Sequence, residues 1–258
     1  MEYEIKQDDK FRFIEEGIVE PLLLLHGLFG ALSNFSGQID YFRQQYRVVV
    51  PILPLLELDL IHTTVGGLEK YLHKFVEYRD YKDINLLGNS LGGHVALMYV
   101  LRHPERIKSL PLTGSSGLFE SGMGDTYPKR QDYEYIRKKT ELTFFDPNIA
   151  TKELVDELYE TVNVRMKAIK IIALAKNAIR NNMGEEISQI KQPTLLIWGH
   201  NDAITPPFVG QEFHKLIPNS ELHFIDKCGH APMWERPEEF NTILLKFLRK
   251  LNEPAAVA

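Results

Sequence analysis

The sequence contains a single cysteine, Cys228, among 258 residues. One thiol cannot form an intramolecular disulfide, so packing alone must hold the fold, and a reducing compartment is expected. No apolar run approaches the length of a membrane-spanning helix, and the run Pro21–Leu25 is far too short. Residues 1–4 are acidic and contain no apolar signal-peptide segment. These absences predict a soluble, cytoplasmic protein that does not act at a membrane.

Clusters of basic residues are missing as well. Lysine and arginine total 30 against 35 acidic residues, a net charge of −5 at pH 7. This balance, without any basic arm, argues against a nucleic acid partner. The apolar fraction of 44% and the charged fraction of 25% are ordinary for a globular protein. We predict a small-molecule substrate and neither cofactor nor metal, and the sequence leaves the choice between monomer and homo-oligomer open.

Short apolar runs alternate with segments of helical spacing. Unbroken apolar runs of this length are typical of strands buried on both faces of a parallel sheet. The alternation predicts a mostly parallel, doubly wound sheet, preceded by an antiparallel hairpin over Tyr3–Ile18. The predicted strands are Leu22–Leu25, Val48–Ile52, Ile84–Leu87, Ser109–Thr113, Thr194–Trp198 and Glu221–Ile225, and the predicted helices include Leu68–Glu77, His94–Leu101 and Glu238–Leu251.

Two features disturb this pattern. Pro111 falls inside a predicted interior strand, where proline supplies no ladder hydrogen bond, so the strand must begin late or pair irregularly. Residues 118–183 contain no strand-like run but two helical patterns, Lys152–Val162 and Val164–Arg180. This stretch is too long for an ordinary loop. It predicts a helical cap or lid, inserted into a core formed by residues 1–117 and 184–258.

A glycine-rich motif marks the candidate nucleophile. Gly88–Gly93, with Ser90 at its third position, directly follows the predicted strand Ile84–Leu87 and precedes a helical pattern. A serine on a sharp strand-to-helix turn takes up a strained backbone conformation, and Gly88 and Gly92 remove side chains that would clash there. The helix N-terminus adds partial positive charge near the hydroxyl. We predict Ser90 as the nucleophile; a plain Gly/Ser turn is the alternative.

The candidate base is His230. A serine hydroxyl is a weak nucleophile and needs an adjacent base. His230 lies in a Gly/Pro-bounded loop after the last predicted strand. In a parallel sheet such loops lie at the carboxyl edge, where Ser90 also lies. A solvated loop histidine is the alternative.

The candidate acid is Asp202, which follows the predicted strand Thr194–Trp198. An acid at this position would fix the tautomer of the imidazole and stabilise its cation. A turn or N-cap aspartate is the alternative. Asp226 competes for the acid role from inside the His230 loop, and His200 is interpreted as a turn residue.

The loop His26–Gly30 follows another predicted strand and contains two glycines that allow close approach of the backbone. We predict that the N–H groups of Leu28 and Leu91 form an oxyanion hole. His26 is expected to hold this loop by hydrogen bonds.

With these motifs the chain resembles the α/β-hydrolase superfamily from Leu22 to the final helix. The resemblance implies the α/β-hydrolase fold, with the insertion capping the active site. Epoxide hydrolases and haloalkane dehalogenases of this fold use aspartate where this chain has Ser90, so their chemistry is not expected.

Within the superfamily the chain is most similar to the meta-cleavage product hydrolases, which cut a C–C bond in 2-hydroxy-6-oxo-dienoates. This resemblance implies substrate-binding roles for Asn34, Asn89 and the cap residue Arg165, whose guanidinium would bind the substrate carboxylate. Ala231 departs from the tryptophan that commonly follows the histidine in that family. A surface charge is the alternative for Arg165.

The sequence thus predicts a serine hydrolase that forms an acyl-enzyme on a small carboxylic ester. C–C hydrolysis of a dienoate and perhydrolysis on the same triad remain open. So does a small-molecule receptor without turnover on the same fold.

Overall fold

The computed structural model describes residues 3–29, 35–119 and 129–253. Within these residues one sheet contains the strands β1 (Lys6–Asp8), β2 (Phe11–Glu16), β3 (Pro21–Leu25), β4 (Arg47–Pro51), β5 (Ile84–Asn89), β6 (Ile107–Thr113), β7 (Thr194–Gly199) and β8 (Ser220–Ile225). Their order is β1-β2-β4-β3-β5-β6-β7-β8. The β1–β2 and β2–β4 pairs are antiparallel, and the other neighbours are parallel. This topology confirms the predicted α/β-hydrolase fold.

The helices are α1 (Ser36–Phe42), α2 (Val65–Tyr78), α3 (Leu91–Arg102), α4 (Tyr133–Glu141), α5 (Lys152–Asn163), α6 (Arg165–Arg180), α7 (Pro207–Leu216), α8 (Pro232–Glu235) and α9 (Pro237–Lys250). Side chains of α2, α3 and α7 pack into one apolar core, and those of α1, α8 and α9 into a second. The sheet separates the two cores. On β3, for example, Leu23 and Leu25 belong to the first core, whereas Leu22 and Leu24 belong to the second.

Pro111 does lie inside an interior strand, opposite Leu195 on β7. The strand begins at Ile107, so it does not begin late. Instead, the pairing of β5 with β6 is irregular between Ile84 and Asn85, upstream of the proline. At Pro111 itself the pairing with β7 is regular from Leu110 to Thr113, so neither expected irregularity lies at the proline.

Between β6 and β7 the described chain forms α4, α5 and α6. Leu174 and Ala178 on α6 join the core on the α2–α3 side of the sheet. The sequence pattern predicted α5 and α6 but not α4, which is mostly polar and buries only Ile136 and Thr140. None of the described helices is long and apolar enough to cross a membrane.

Candidate active site

Ser90 lies at the turn between the end of β5 and the first residue of α3. Its backbone has φ 53° and ψ −121°, a left-handed conformation that costs free energy for any residue other than glycine. The Ser90 N–H donates to the Thr113 carbonyl at 3.2 Å, which ties the turn to β6. A Cβ on Gly92 would lie 2.2 Å from the Leu25 carbonyl oxygen. Close packing of α3 against the end of β3 therefore needs this glycine and holds the strained turn in place.

Asp202 and His230 form a buried pair at the same edge of the sheet. His230 Nδ1 lies 2.9 Å from Asp202 Oδ2, and their side chains are 8% and 0% exposed. Asp202 Oδ1 also accepts the main-chain N–H groups of Ile204 at 2.8 Å and Thr205 at 2.9 Å. The Thr205 hydroxyl donates to Oδ2 at 2.8 Å. Because the carboxylate is an acceptor only, we assign the imidazole proton to Nδ1, which leaves Nε2 as the basic nitrogen.

The His230 loop is anchored beside Ser90. The Asn89 amide Nδ2 donates to the carbonyls of Thr113 at 3.1 Å and His230 at 3.3 Å. A Cβ on Gly114 would lie 2.9 Å from His230 Nδ1, so the ring packs directly against the end of β6. No hydrogen bond joins Ser90 Oγ to the imidazole within residues 3–29, 35–119 and 129–253. In free active sites the nucleophile–base hydrogen bond is often long, and it tightens when substrate binds.

Asp226, the competing acid, contacts a different histidine. Asp226 Oδ1 forms a close hydrogen bond with His200 Nδ1 on the protein surface. The His200 ring also stacks on Phe224. The structure therefore pairs Asp202, and not Asp226, with His230.

The loop after β3 packs against the Ser90 turn. A Cβ on Gly27 would lie 3.0 Å from Ser90 Cβ, which places this loop beside the hydroxyl. Leu28 is half-buried and Leu91 is buried, and neither N–H is paired with an acceptor among the described residues. Two free donors beside a nucleophile are what an oxyanion hole requires.

His26 holds this loop through both ring nitrogens. Nε2 accepts the Leu53 N–H at 3.1 Å, and Nδ1 donates to the Gly27 carbonyl at 3.0 Å. Burial lowers the pKa of His26, so the ring stays neutral and keeps this tautomer. These are the loop-holding hydrogen bonds that the sequence predicts.

The three residues predicted to bind substrate differ in position. Asn34 lies outside the described residues. Asn89 is buried, and its Nδ2 donates hydrogen bonds to the main-chain carbonyls of Thr113 and His230. Arg165 is the exposed first residue of α6. Contact of Asn89 or Arg165 with substrate stays a prediction.

Two residues at the site were not found by sequence reasoning. Thr205 contacts Asp202 and lies 3.3 Å from His230 Nδ1 through its hydroxyl. The Asp-x-x-Thr spacing after a strand is the signal that could have revealed it, since aspartate side chains often accept N–H groups two and three residues later. Glu235 accepts the Gly229 N–H at 2.7 Å, one residue before His230. Nothing in the local pattern indicates that contact.

A cleft of about 330 Å³ opens beside the His26 loop and below α5 and α6. Most of its lining residues are apolar, but the exposed Glu57 and Glu157 also line it. The Lys170 ammonium group of α6 donates to the carbonyl of Leu56, in the cleft wall, at 2.6 Å. The lining residues are His26, Leu28, Phe29, Ile52, Leu53, Leu55, Leu56, Glu57, Glu157, Leu158, Thr161 and Ile171.

Comparison with known proteins agrees with this fold. A family profile described as the alpha/beta hydrolase fold matches residues 20–144 and 162–237. The 2-hydroxy-6-oxononadienedioate/2-hydroxy-6-oxononatrienedioate hydrolase 1 of Pseudomonas putida is 31% identical over 257 residues, covering 89% of this chain and 88% of that one. The corresponding hydrolase of Escherichia coli K12 is 30% identical, covering 90% and 88%.

A solved structure is more similar in sequence. It is an alpha/beta hydrolase enzyme from the metagenome of sediments of the Mar Chica lagoon, Morocco. It is 43% identical with a TM-score of 0.81, and the match covers 97% of this chain and 100% of that chain. The chain therefore belongs to the alpha/beta hydrolase family and is a hydrolase of that fold.

Proposed function

We propose that this hydrolase is a serine hydrolase with Ser90 as nucleophile, His230 as general base and Asp202 as the acid that orients the imidazole. The observation that carries the proposal is the buried Asp202–His230 hydrogen bond of 2.9 Å, in a loop anchored to the residue before Ser90. That bond leaves Nε2 as the free base, on a ring that packs against the end of β6.

In the proposed reaction Ser90 Oγ attacks the substrate carbonyl carbon while His230 Nε2 accepts the hydroxyl proton. The negative charge formed on the carbonyl oxygen is stabilised by the N–H groups of Leu28 and Leu91. One such donor is typically worth about two to three orders of magnitude in rate. The leaving group takes the proton from His230, and water then attacks the acyl-enzyme by the same route in reverse.

For the substrate we propose a 2-hydroxy-6-oxo-dienoate cut at a C–C bond. The support is the relatives at 30–31% identity over about nine-tenths of the chain, which carry this activity in their names. In this reaction the 2-hydroxyl proton of the substrate first moves to C5, which gives the 2,6-dioxo form. The bond between C5 and the attacked C6 ketone then breaks, its electron pair is delocalised into the 2-oxo-enoate, and His230 protonates that fragment. We further propose that residues 118–183 cap the site, supported by Glu157 and Leu158 of α5 facing the His26 loop across the cleft.

A small carboxylic ester is the second candidate, and a feature of the cleft favours it. Glu57 and Glu157 are among the residues that line the cleft, and their negative charges would disfavour a dianionic dienoate. Ala231 also follows His230, where the meta-cleavage product hydrolases commonly have tryptophan. The acidic residues favour a neutral substrate, and Ala231 is a departure from the dienoate-cleaving family.

Parallel turnover of 2-hydroxy-6-oxononadienedioate and p-nitrophenyl butyrate tests the substrate. We expect kcat/KM to be at least about tenfold higher for the dienoate. A preference for the ester of that size would establish the second candidate instead.

The Ser90→Ala variant tests the mechanism in the same assays. It should lose turnover of both substrates and labelling by a fluorophosphonate probe, whereas Ser188→Ala, at an exposed position, should keep them. Retained labelling in Ser90→Ala would contradict the nucleophile. Labelling of the unmodified protein without steady-state turnover would indicate a receptor.

A further inference from the structure

The loop that carries His230 is joined by hydrogen bonds to residues 143–145, the segment that follows α4. One is a main-chain hydrogen bond, and the others run through a carboxylate. The His230 N–H donates to the Thr143 carbonyl at 2.8 Å. Glu235, the last residue of α8, adds a bridge through its carboxylate: Oε1 accepts the Gly229 N–H at 2.7 Å and Oε2 accepts the Phe145 N–H at 2.8 Å. One carboxylate thus joins the residue before His230 to the region between β6 and β7.

Apolar packing supports the same junction. Phe144 is buried in the core on the α9 side of the sheet, and its ring meets Trp234 edge-on at 5.2 Å. The approach of the two backbones is close, because a Cβ on Gly229 would lie 2.6 Å from the Thr143 oxygen and 2.9 Å from Phe145 N. The segment after α4 therefore cannot move without moving the His230 loop.

Glu235 is held in surroundings that do not favour its charge. Burial raises the pKa of Glu235, although the N–H groups of Phe145 and Gly229 and the charge of Arg236 act in the opposite direction. The other titratable neighbour in contact is Cys228, whose sulfur lies 3.9 Å from Oε1. A neutral residue would avoid the cost of desolvation but could not accept both N–H groups in this geometry.

We propose that Glu235 is a positioning residue that fixes the His230 imidazole relative to Ser90 by holding the His230 loop against segment 143–145. Because segment 143–145 directly follows α4, the position of α4 then affects the position of His230. This inference rests on the proposed role of His230. Glu235 itself touches neither substrate nor reacting atoms, and acts through the main chain of Gly229 and Phe145.

The Glu235→Gln variant tests this inference. Glutamine has nearly the same shape but keeps one acceptor oxygen, and its NH₂ group would face one of the two N–H donors. The loop should therefore separate from segment 143–145 on one side. We expect the second-order rate constant for fluorophosphonate labelling of Ser90, per folded molecule, to fall about tenfold, since small misplacements of catalytic groups have effects of this order. The KM for p-nitrophenyl butyrate should change less than about twofold.

Two further variants complete the experiment. Gly229→Ala leaves every charge in place but pushes the loop away from Thr143, so it should lower the labelling rate in the same way. Glu238→Gln removes an equivalent charge from an exposed position three residues beyond Glu235 and should label at the wild-type rate. If Gly229→Ala does not fold, Glu235→Gln decides the question alone.

The outcomes separate this inference from the proposed function. A Glu235→Gln variant that is less stable but labels at the wild-type rate per folded molecule would show that the residue is merely structural, which overturns the inference. A wild-type protein that is not labelled at all would remove the proposed nucleophile, and the inference with it.

Discussion

The turn around Ser90 and the helices between β6 and β7 differ in how firmly the fold holds them. Around Ser90 every residue of β5 is buried and most of α3 is buried too. In α5, by contrast, Val155 is the one buried side chain among the described positions, and α6 buries three. Apolar side chains of α6 remain exposed, among them Met166, Ile169 and Ile179.

The difference matches what each region has to do. A strained serine needs surroundings that leave it no alternative conformation, so the packing around it tolerates little change. The substrate side has no such requirement, because a cleft wall can vary while the reacting groups stay in place. We therefore expect the chemistry to depend on the firmly packed region, and substrate specificity to depend on the region that packing constrains least.

The largest effect is expected from Gly92→Ala, in the firmly packed region. The added Cβ would lie 2.2 Å from the Leu25 carbonyl oxygen and 2.7 Å from that of His26, and both are backbone atoms. We expect unfolding by urea to report a loss of about 3 kcal/mol or more, together with loss of Ser90 labelling.

Gly66→Ala on α2 is the matched control for that variant. Its Cβ would make ordinary contact with Met98 Sδ at 3.8 Å. Because alanine favours a helix over glycine by about 0.5–1 kcal/mol, this variant should be as stable as wild type or more so. A Gly92→Ala protein of wild-type stability would show that the Ser90 turn is less constrained than the contacts indicate.

Lowering the pH should also destabilise the firmly packed region around Ser90, because His94 lies there. This residue lies one turn into α3, and burial lowers its pKa to about 4, an effect that its interaction with the Asn181 main chain offsets only in part. An unfolded chain takes up this proton near pH 6.5. Between those values the unfolded state binds more protons, so stability falls as the pH is lowered.

We expect this group to reduce the free energy of unfolding by about 2 kcal/mol between pH 8 and pH 5. His94→Phe should remove that part of the pH dependence, measured by urea unfolding at both pH values, whatever its effect on packing at pH 8. The same slope in both proteins would refute the assignment. Residues 118–183 contain no histidine, so no imidazole of that segment adds to this effect.

Sequence reasoning predicts positions where these follow local order. Ser90, Asp202 and His230 each follow a buried apolar run, and the rule that parallel strands end at one edge places all three there, as the structure does; their catalytic roles stay predictions. The sequence could not choose firmly between Asp202 and Asp226, because that choice depends on the contact of Asp226 with His200, 26 residues away in the chain. Glu235 was missed for the same reason: its partner Phe145 is 90 residues away, and no local pattern encodes that contact.

The smallest effect is expected on the substrate side, from Arg165→Ala. Under the dienoate proposal this guanidinium binds the substrate carboxylate, but the residue is exposed, and exposed ion pairs are worth at most about 1 kcal/mol. We therefore expect KM for 2-hydroxy-6-oxononadienedioate to rise no more than about fivefold. The KM for p-nitrophenyl butyrate should not change, and stability should stay within about 0.5 kcal/mol of wild type.

Two further variants, Lys167→Ala and Lys170→Ala, test which positive charge of α6 binds the substrate carboxylate. Lys167 is exposed two residues beyond Arg165 and serves as the matched control, so KM should stay at the wild-type value. Lys170 already donates to Leu56 in the cleft wall. If Arg165→Ala leaves KM for the dienoate unchanged while Lys170→Ala raises it, the carboxylate binds nearer the cleft than the family resemblance implies. If none of the three variants alters the dienoate KM, none of these three cations binds the substrate carboxylate, and the two acidic residues of the cleft then favour a neutral ester.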